Sequence, residues 1–161
     1  MATQGLLHQL TERIWIVTAQ FVPDGPGDLI GIAERWFTHG WMGELAMAPD
    51  IFSEQVKTNG IVVGVAGPTG RIKDRLRGFP DLTTTIQEVF QHDDTVITRL
   101  VWRGTHTGPY GGVAATGKPV EVRDMAIWHF AAGKVAEIWT LQDHFGLLQQ
   151  IGYLPDSLYA A

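Results

Sequence analysis

The sequence predicts an α+β fold, with helices first and an antiparallel sheet afterwards. Three observations carry that expectation. In the first half, apolar residues recur three and four apart, the spacing of helices that bury one face. From Leu82 onward the period drops to two, the rhythm of half-buried strands. Short turn signals then separate the period-two segments.

In chain order, Leu6, Leu10, Ile14, Val17 and Phe21 predict an amphipathic helix that breaks at the Pro- and Gly-rich residues 22–28. A second helix is predicted over residues 29–39, with Asp28 as its cap and Ile32, Trp36 and His39 on successive turns. Gly40-Trp41-Met42-Gly43 ends it, and a short third helix over 44–47 stops before Pro49. After Pro49 no clear period emerges, and residues 61–65 read either as a strand or as a loop over the core. Residues 68–76 place Arg71, Lys73, Asp74, Arg75 and Arg77 around Ile72 and Leu76. That pattern predicts an exposed helix, opened by Pro68 and stopped by Gly78.

Strands are predicted over 83–90, 95–107, 119–130 and 134–142. His92-Asp93-Asp94 and residues 131–134 suit hairpin turns, while 108–118 form a longer Gly-rich excursion.

At 161 residues the chain reads as one main domain with a sizeable core. The absence of cysteine removes disulfides, thiolate nucleophiles and Cys-based zinc sites. A net charge of -5 without a Lys/Arg cluster argues against nucleic acid as a partner. The N-terminus lacks a basic start and an apolar run, and no apolar stretch approaches the roughly 18 residues of a spanning helix, so a soluble, cytoplasmic protein is expected. No metal site is expected, because no two histidines stand four apart around an acid. The Gly-rich segment lacks phosphate-loop and dinucleotide signatures, and neither Ser53 nor Ser157 sits in a nucleophile elbow.

Strand alternation sorts the faces. Over 119–130, one face holds Val120, Val122, Asp124, Ala126, Trp128 and Phe130, apolar except for the acid. A carboxylate there is costly unless it is bonded or titrates for a purpose, which makes Asp124 a candidate general acid or base. A bulge that turns it outward, or an ion pair with an arginine, is the structural alternative. On 95–107 the more apolar face holds Val96, Leu100, Trp102 and His106, and places the histidine inside as a candidate proton shuttle or as a side chain tied to the strand end. The last strand puts Trp139, Leu141 and Asp143 on one side. With Trp139 inward, Asp143 lies beneath an aromatic wall; it also directly precedes a short helix and can cap it.

Several segments together resemble the SnoaL-like polyketide cyclase and ester cyclase family, within the nuclear transport factor 2-like superfamily. They are Gly78-Phe79-Pro80-Asp81-Leu82, Gly104-Thr105-His106-Thr107-Gly108, Thr116-Gly117-Lys118-Pro119-Val120, Gly133-Lys134-Val135-Ala136-Glu137-Ile138-Trp139 and residues 143–152. The resemblance implies a cone-shaped barrel in which a strongly curved antiparallel sheet is closed by N-terminal helices. It assigns 29–161 to that cone and leaves 1–28 as a helical extension.

It further implies a cofactor-independent cyclase, isomerase or lyase acting on a polyketide-like or terpenoid molecule. Asp124, Asp143 and His106 are then the expected catalytic groups, with Trp36, Trp102, Tyr110, Trp128 and Trp139 as substrate-binding walls. Aligned through Gly146 and Gly152, the catalytic acid of aromatic polyketide cyclases falls on Thr140 and their companion histidine near Ala126, so neither role carries over. Two other functions remain open: epoxide hydrolysis with Arg99 as the cation, and a non-catalytic binding or assembly domain. The outer sheet face, with Arg99, Val101, Arg103 and Ile127, is the expected contact of a homodimer or higher homo-oligomer.

Overall fold

A computed structural model describes residues 28–155. The helix predicted over 6–21 lies outside them, as does nearly all of the 1–28 extension. Among the described residues the architecture is the expected α+β type: four α-helices and a six-stranded, mostly antiparallel curled sheet in the order β2-β1-β6-β5-β4-β3.

Helix α1 (Leu29–Thr38) starts where Asp28 accepts a hydrogen bond from Gly31 N, as its sequence predicts. Two 3-10 turns, Gly40–Met42 and Leu45–Met47, lead into a short helix α2 (Ala48–Ile51). The helix predicted over 44–47 is thus corrected to a 3-10 turn. Pro49 does not stop a helix but occupies the first turn of α2, where its missing N–H costs nothing.

Strand β1 (Phe52–Thr58) and the two-residue β2 (Ile61–Val62) form a hairpin on Asn59 and Gly60, both at positive φ. β1 lies parallel to β6, the one parallel pairing of the sheet. Helix α3 (Ala66–Gly78) runs longer at both ends than predicted. β3 (Thr83–His92), β4 (Thr95–Thr105), β5 (Pro119–Ala131) and β6 (Lys134–Gln142) are an antiparallel meander. Register shifts between Ile86 and Glu88, and between His129 and Phe130, accompany the curl. Helix α4 (His144–Gln150) closes the described chain.

The core fills the concave side of the sheet. Trp36 meets Phe52 edge-on at 4.8 Å, and Phe37 meets Trp128 at 5.2 Å, so α1 is bonded to β1 and β5 through aromatic edges. Each such buried side chain contributes about 1.5–3 kcal/mol of transfer free energy. Among the described residues no helix is long and apolar enough to cross a membrane.

Candidate active site

Along β5 burial alternates without a break: Val120, Val122, Asp124, Ala126, Trp128 and Phe130 are buried, and every residue between them is exposed. Asp124 therefore faces the interior, only 4 % exposed, opposite Leu100 on β4 and Gln142 on β6. The register at Asp124 is regular, and among the described residues no cation forms an ion-pair contact with it. Thr140 Oγ1 donates a hydrogen bond to Asp124 Oδ1 at 3.1 Å. Thr140 is itself held by Asn59, whose side chain accepts from Thr140 N at 2.8 Å and donates to Thr140 O at 3.3 Å. The turn that joins β1 to β2 thus fixes the hydroxyl that aims the acid.

Helix α3 supplies the opposite charge. Arg75, expected on an exposed surface, is buried at 7 % exposure. Its guanidinium lies over the ring of Trp41 at 4.0 Å and over Trp102 at 5.3 Å, while Nη2 donates to Gln142 Oε1 at 2.8 Å. Burial lowers the Arg75 pKa, and Tyr110 and Asp124 favour its cation.

Burial pushes the Asp124 carboxyl up to about 6, against the downward pull of Arg75, the Thr140 hydroxyl and Arg71. An acid poised there can exchange a proton near neutral pH.

These groups share one cavity of about 930 Å³. Trp36, Phe37, Trp128 and Ile138 are among its apolar walls; Asp124, Thr140, Gln142 and Arg75 are among its polar groups, and Arg71, Tyr110, His144 and the Asp74–Arg77 ion pair also line it. A cavity of this size, with an aromatic wall facing convergent polar groups, suits a small molecule that has both apolar and polar parts. A smaller depression of about 490 Å³ between α1 and β3 contains none of the predicted site residues.

Asp124, Trp36, Tyr110 and Trp128 are thus brought together, while the other predicted site residues fall elsewhere. Trp102 is fully buried behind Arg75, with Nε1 unpartnered. His106 is inside, as expected, but stacks on Phe79 at 5.2 Å and its Nδ1 pairs with Thr116 Oγ1 at 3.0 Å, away from the cavity wall. Burial lowers its pKa.

Trp139 requires a correction: it is half exposed on the outer face, because Ile138 and Thr140 take the inward positions on β6. Asp143 accordingly has no aromatic wall above it. It is exposed and caps α4 by accepting from Gly146 N at 2.8 Å. Arg99 also points outward, bonded to Glu88 and Gln87. Arg75, Asn59 and Gln142 were missed by sequence reasoning; the Asn59-Gly60 dipeptide was the available signal for the turn, whereas nothing periodic marks Arg75 as inward.

Residues 32–151 match the model of the SnoaL-like polyketide cyclase family. No curated protein matches the chain. Among solved structures, it is similar to a protein of Jannaschia sp. CCS1 provisionally named a SnoaL-like polyketide cyclase. That pair shares 22 % identity over 79 % of this chain and 93 % of the other, with a TM-score of 0.70. It is similar to IdmH of Streptomyces antibioticus, provisionally named a polyketide cyclase, at 25 % identity over 78 % and 99 %, TM-score 0.69. AclR of Streptomyces galilaeus, provisionally named a hydroxylase, is similar at 25 % identity over 80 % and 83 %, TM-score 0.71.

Proposed function

The chain belongs to the SnoaL-like polyketide cyclase family, and from that premise we propose that it is a cofactor-independent acid/base enzyme acting on a polyketide-like or terpenoid small molecule. Asp124 is the general base. The observation that supports this most directly is the poise of Asp124, a buried carboxyl raised to about 6 beside the aromatic wall of a cavity of about 930 Å³.

In this reading the ionised carboxyl takes a proton from a carbon next to a substrate carbonyl. The electron pair left behind attacks a second carbonyl of the same molecule, a carbon–carbon bond forms, and the proton on Asp124 passes to the new alkoxide. Returning the proton to a different carbon instead makes the same site an isomerase. Trp36 and Trp128 hold the apolar frame, and Thr140 keeps the carboxyl aimed.

The test is deuterium wash-in from D2O at the α-carbon of 2-tetralone, an apolar ketone. Wild type accelerates the exchange and Asp124→Asn loses the acceleration while still binding the ketone. Exchange at the wild-type rate in Asp124→Asn defeats the assignment. Epoxide hydrolysis has less support, since Arg99, its expected cation, lies on the outer face; incorporation of oxygen from labelled water separates it from ring closure.

A further inference from the structure

Arg75 has a charge that Asp124 and Tyr110 favour but no carboxylate contacts, and a donor left without a partner among the described residues. Among the described residues no carboxylate lies in ion-pair contact with it, although five such contacts form elsewhere. Its Nη2 is used by the neutral amide of Gln142, and its Nε is buried without a partner among the described residues. A cation held this deep normally has an anion against it, because desolvation is otherwise uncompensated. Asp124 is near enough to feel the charge but does not touch it.

A second arginine stands on the same side. Arg71 precedes Arg75 by one helical turn of α3, and both line the cavity. Like charges at that spacing repel. Both arginines lower the His144 pKa after burial has done so, and both pull on Asp124, so the two charges reach the same stretch of cavity. Trp41 and Trp102 fix the plane of the Arg75 guanidinium, which leaves its position pre-organised rather than adaptable.

We propose that Arg75 and Arg71 form a seat for a carboxylate, and that the natural substrate is an apolar small molecule carrying one such group. This rests on the reading of the cavity as a substrate site, and assigns the anchoring end of the molecule rather than its reacting carbon. Arginine suits the task because it presents several donors in a fixed fork that a carboxylate can bridge. The aromatic wall then receives the apolar remainder and brings it toward Asp124.

The experiment compares 2-naphthoate with 2-naphthamide, its uncharged isostere, by isothermal titration calorimetry on the full chain. Wild type prefers the acid by about tenfold or more, the size expected for hydrogen bonds to a charged group. Arg71→Gln, at an exposed position, leaves only a few-fold preference, and Arg75→Gln abolishes it; Arg75→Lys, which keeps the charge but not the fork, restores part of it. An arginine that only braces the two tryptophans would lower the melting temperature without touching the acid-to-amide ratio. The proposal is overturned if wild type binds the two probes within twofold, if it binds neither, or if the full preference survives in Arg71→Gln and in folded Arg75→Gln. Asp124→Asn keeps the preference for the acid, so loss of proton exchange in that variant and loss of the carboxylate seat are separate results.

Discussion

Thr140 Oγ1 donates to Asp124 Oδ1 across the β5–β6 pair at 3.1 Å. The hydroxyl of β6 thus serves a carboxylate supplied by the neighbouring strand β5, and both side chains line the cavity.

Removing that hydroxyl has a signed consequence. The Thr140 bond favours the ionised carboxyl and so lowers the Asp124 pKa. Thr140→Val raises it further above the usual carboxylate range, and the rising limb of the pH–rate profile moves to higher pH. An unmoved limb would show that the bond does not form in solution.

Asp124 also ties stability to pH. In the folded chain it keeps its proton up to about 6, against an ordinary value of 3.8. The folded state binds that proton more tightly than the unfolded state does. Its contribution is therefore fully present below about pH 4 and is lost as the pH rises through about 6. The shift corresponds to about 3 kcal/mol. Urea titrations of wild type and Asp124→Asn at about pH 4 and about pH 8 read it, since the stability difference between the two proteins shifts toward the variant by that amount.

Asp143 behaves as a cap in its geometry. Asp143→Ala costs about 1 kcal/mol of stability, whereas Asp143→Ser costs little. Both retain proton exchange on 2-tetralone; a Ser variant that is stable but inactive would return Asp143 to the chemistry.

The outer sheet face carries Phe90, Ile97, Ile127 and Trp139 in one register row across β3 to β6, all exposed. Val101, expected to share in a contact there, is buried, and Arg99 and Arg103 are engaged by Glu88 and Glu121. A row of this kind suits a second copy packed face to face. Light scattering is expected to give a dimer for wild type and a monomer for Ile127→Asp with Trp139→Asp. A wild-type monomer at every concentration would remove the idea.

The meander was legible because β5 alternates cleanly, and the same alternation exposed Asp124 as the one acid on a buried face. β1 was not, since Ser53, Glu54 and Gln55 follow one another between Phe52 and Val56 and hide the period. Both faces of β6 carry apolar residues, and hydrophobicity alone cannot choose between them, so the sequence does not reveal that Trp139 faces outward. The charged pattern of α3 predicts a solvated Arg75, since a helix with that many charges normally faces water. What turns it inward is a partner set of Trp41, Trp102 and Gln142 drawn from three distant segments, which no local pattern encodes.

The carbonyl of Gly78 accepts from both Thr107 N and Gly108 N at 3.1 Å. Gly108 has no room for a methyl group, because Arg77 O stands in its place. The end of α3 and the loop bearing Tyr110 are thus latched into one body. A ligand that displaces Tyr110 from the cavity edge must therefore work against the end of α3 as well as the loop. Gly108→Ala would unfasten the latch and shorten ligand residence while leaving the acid where it is.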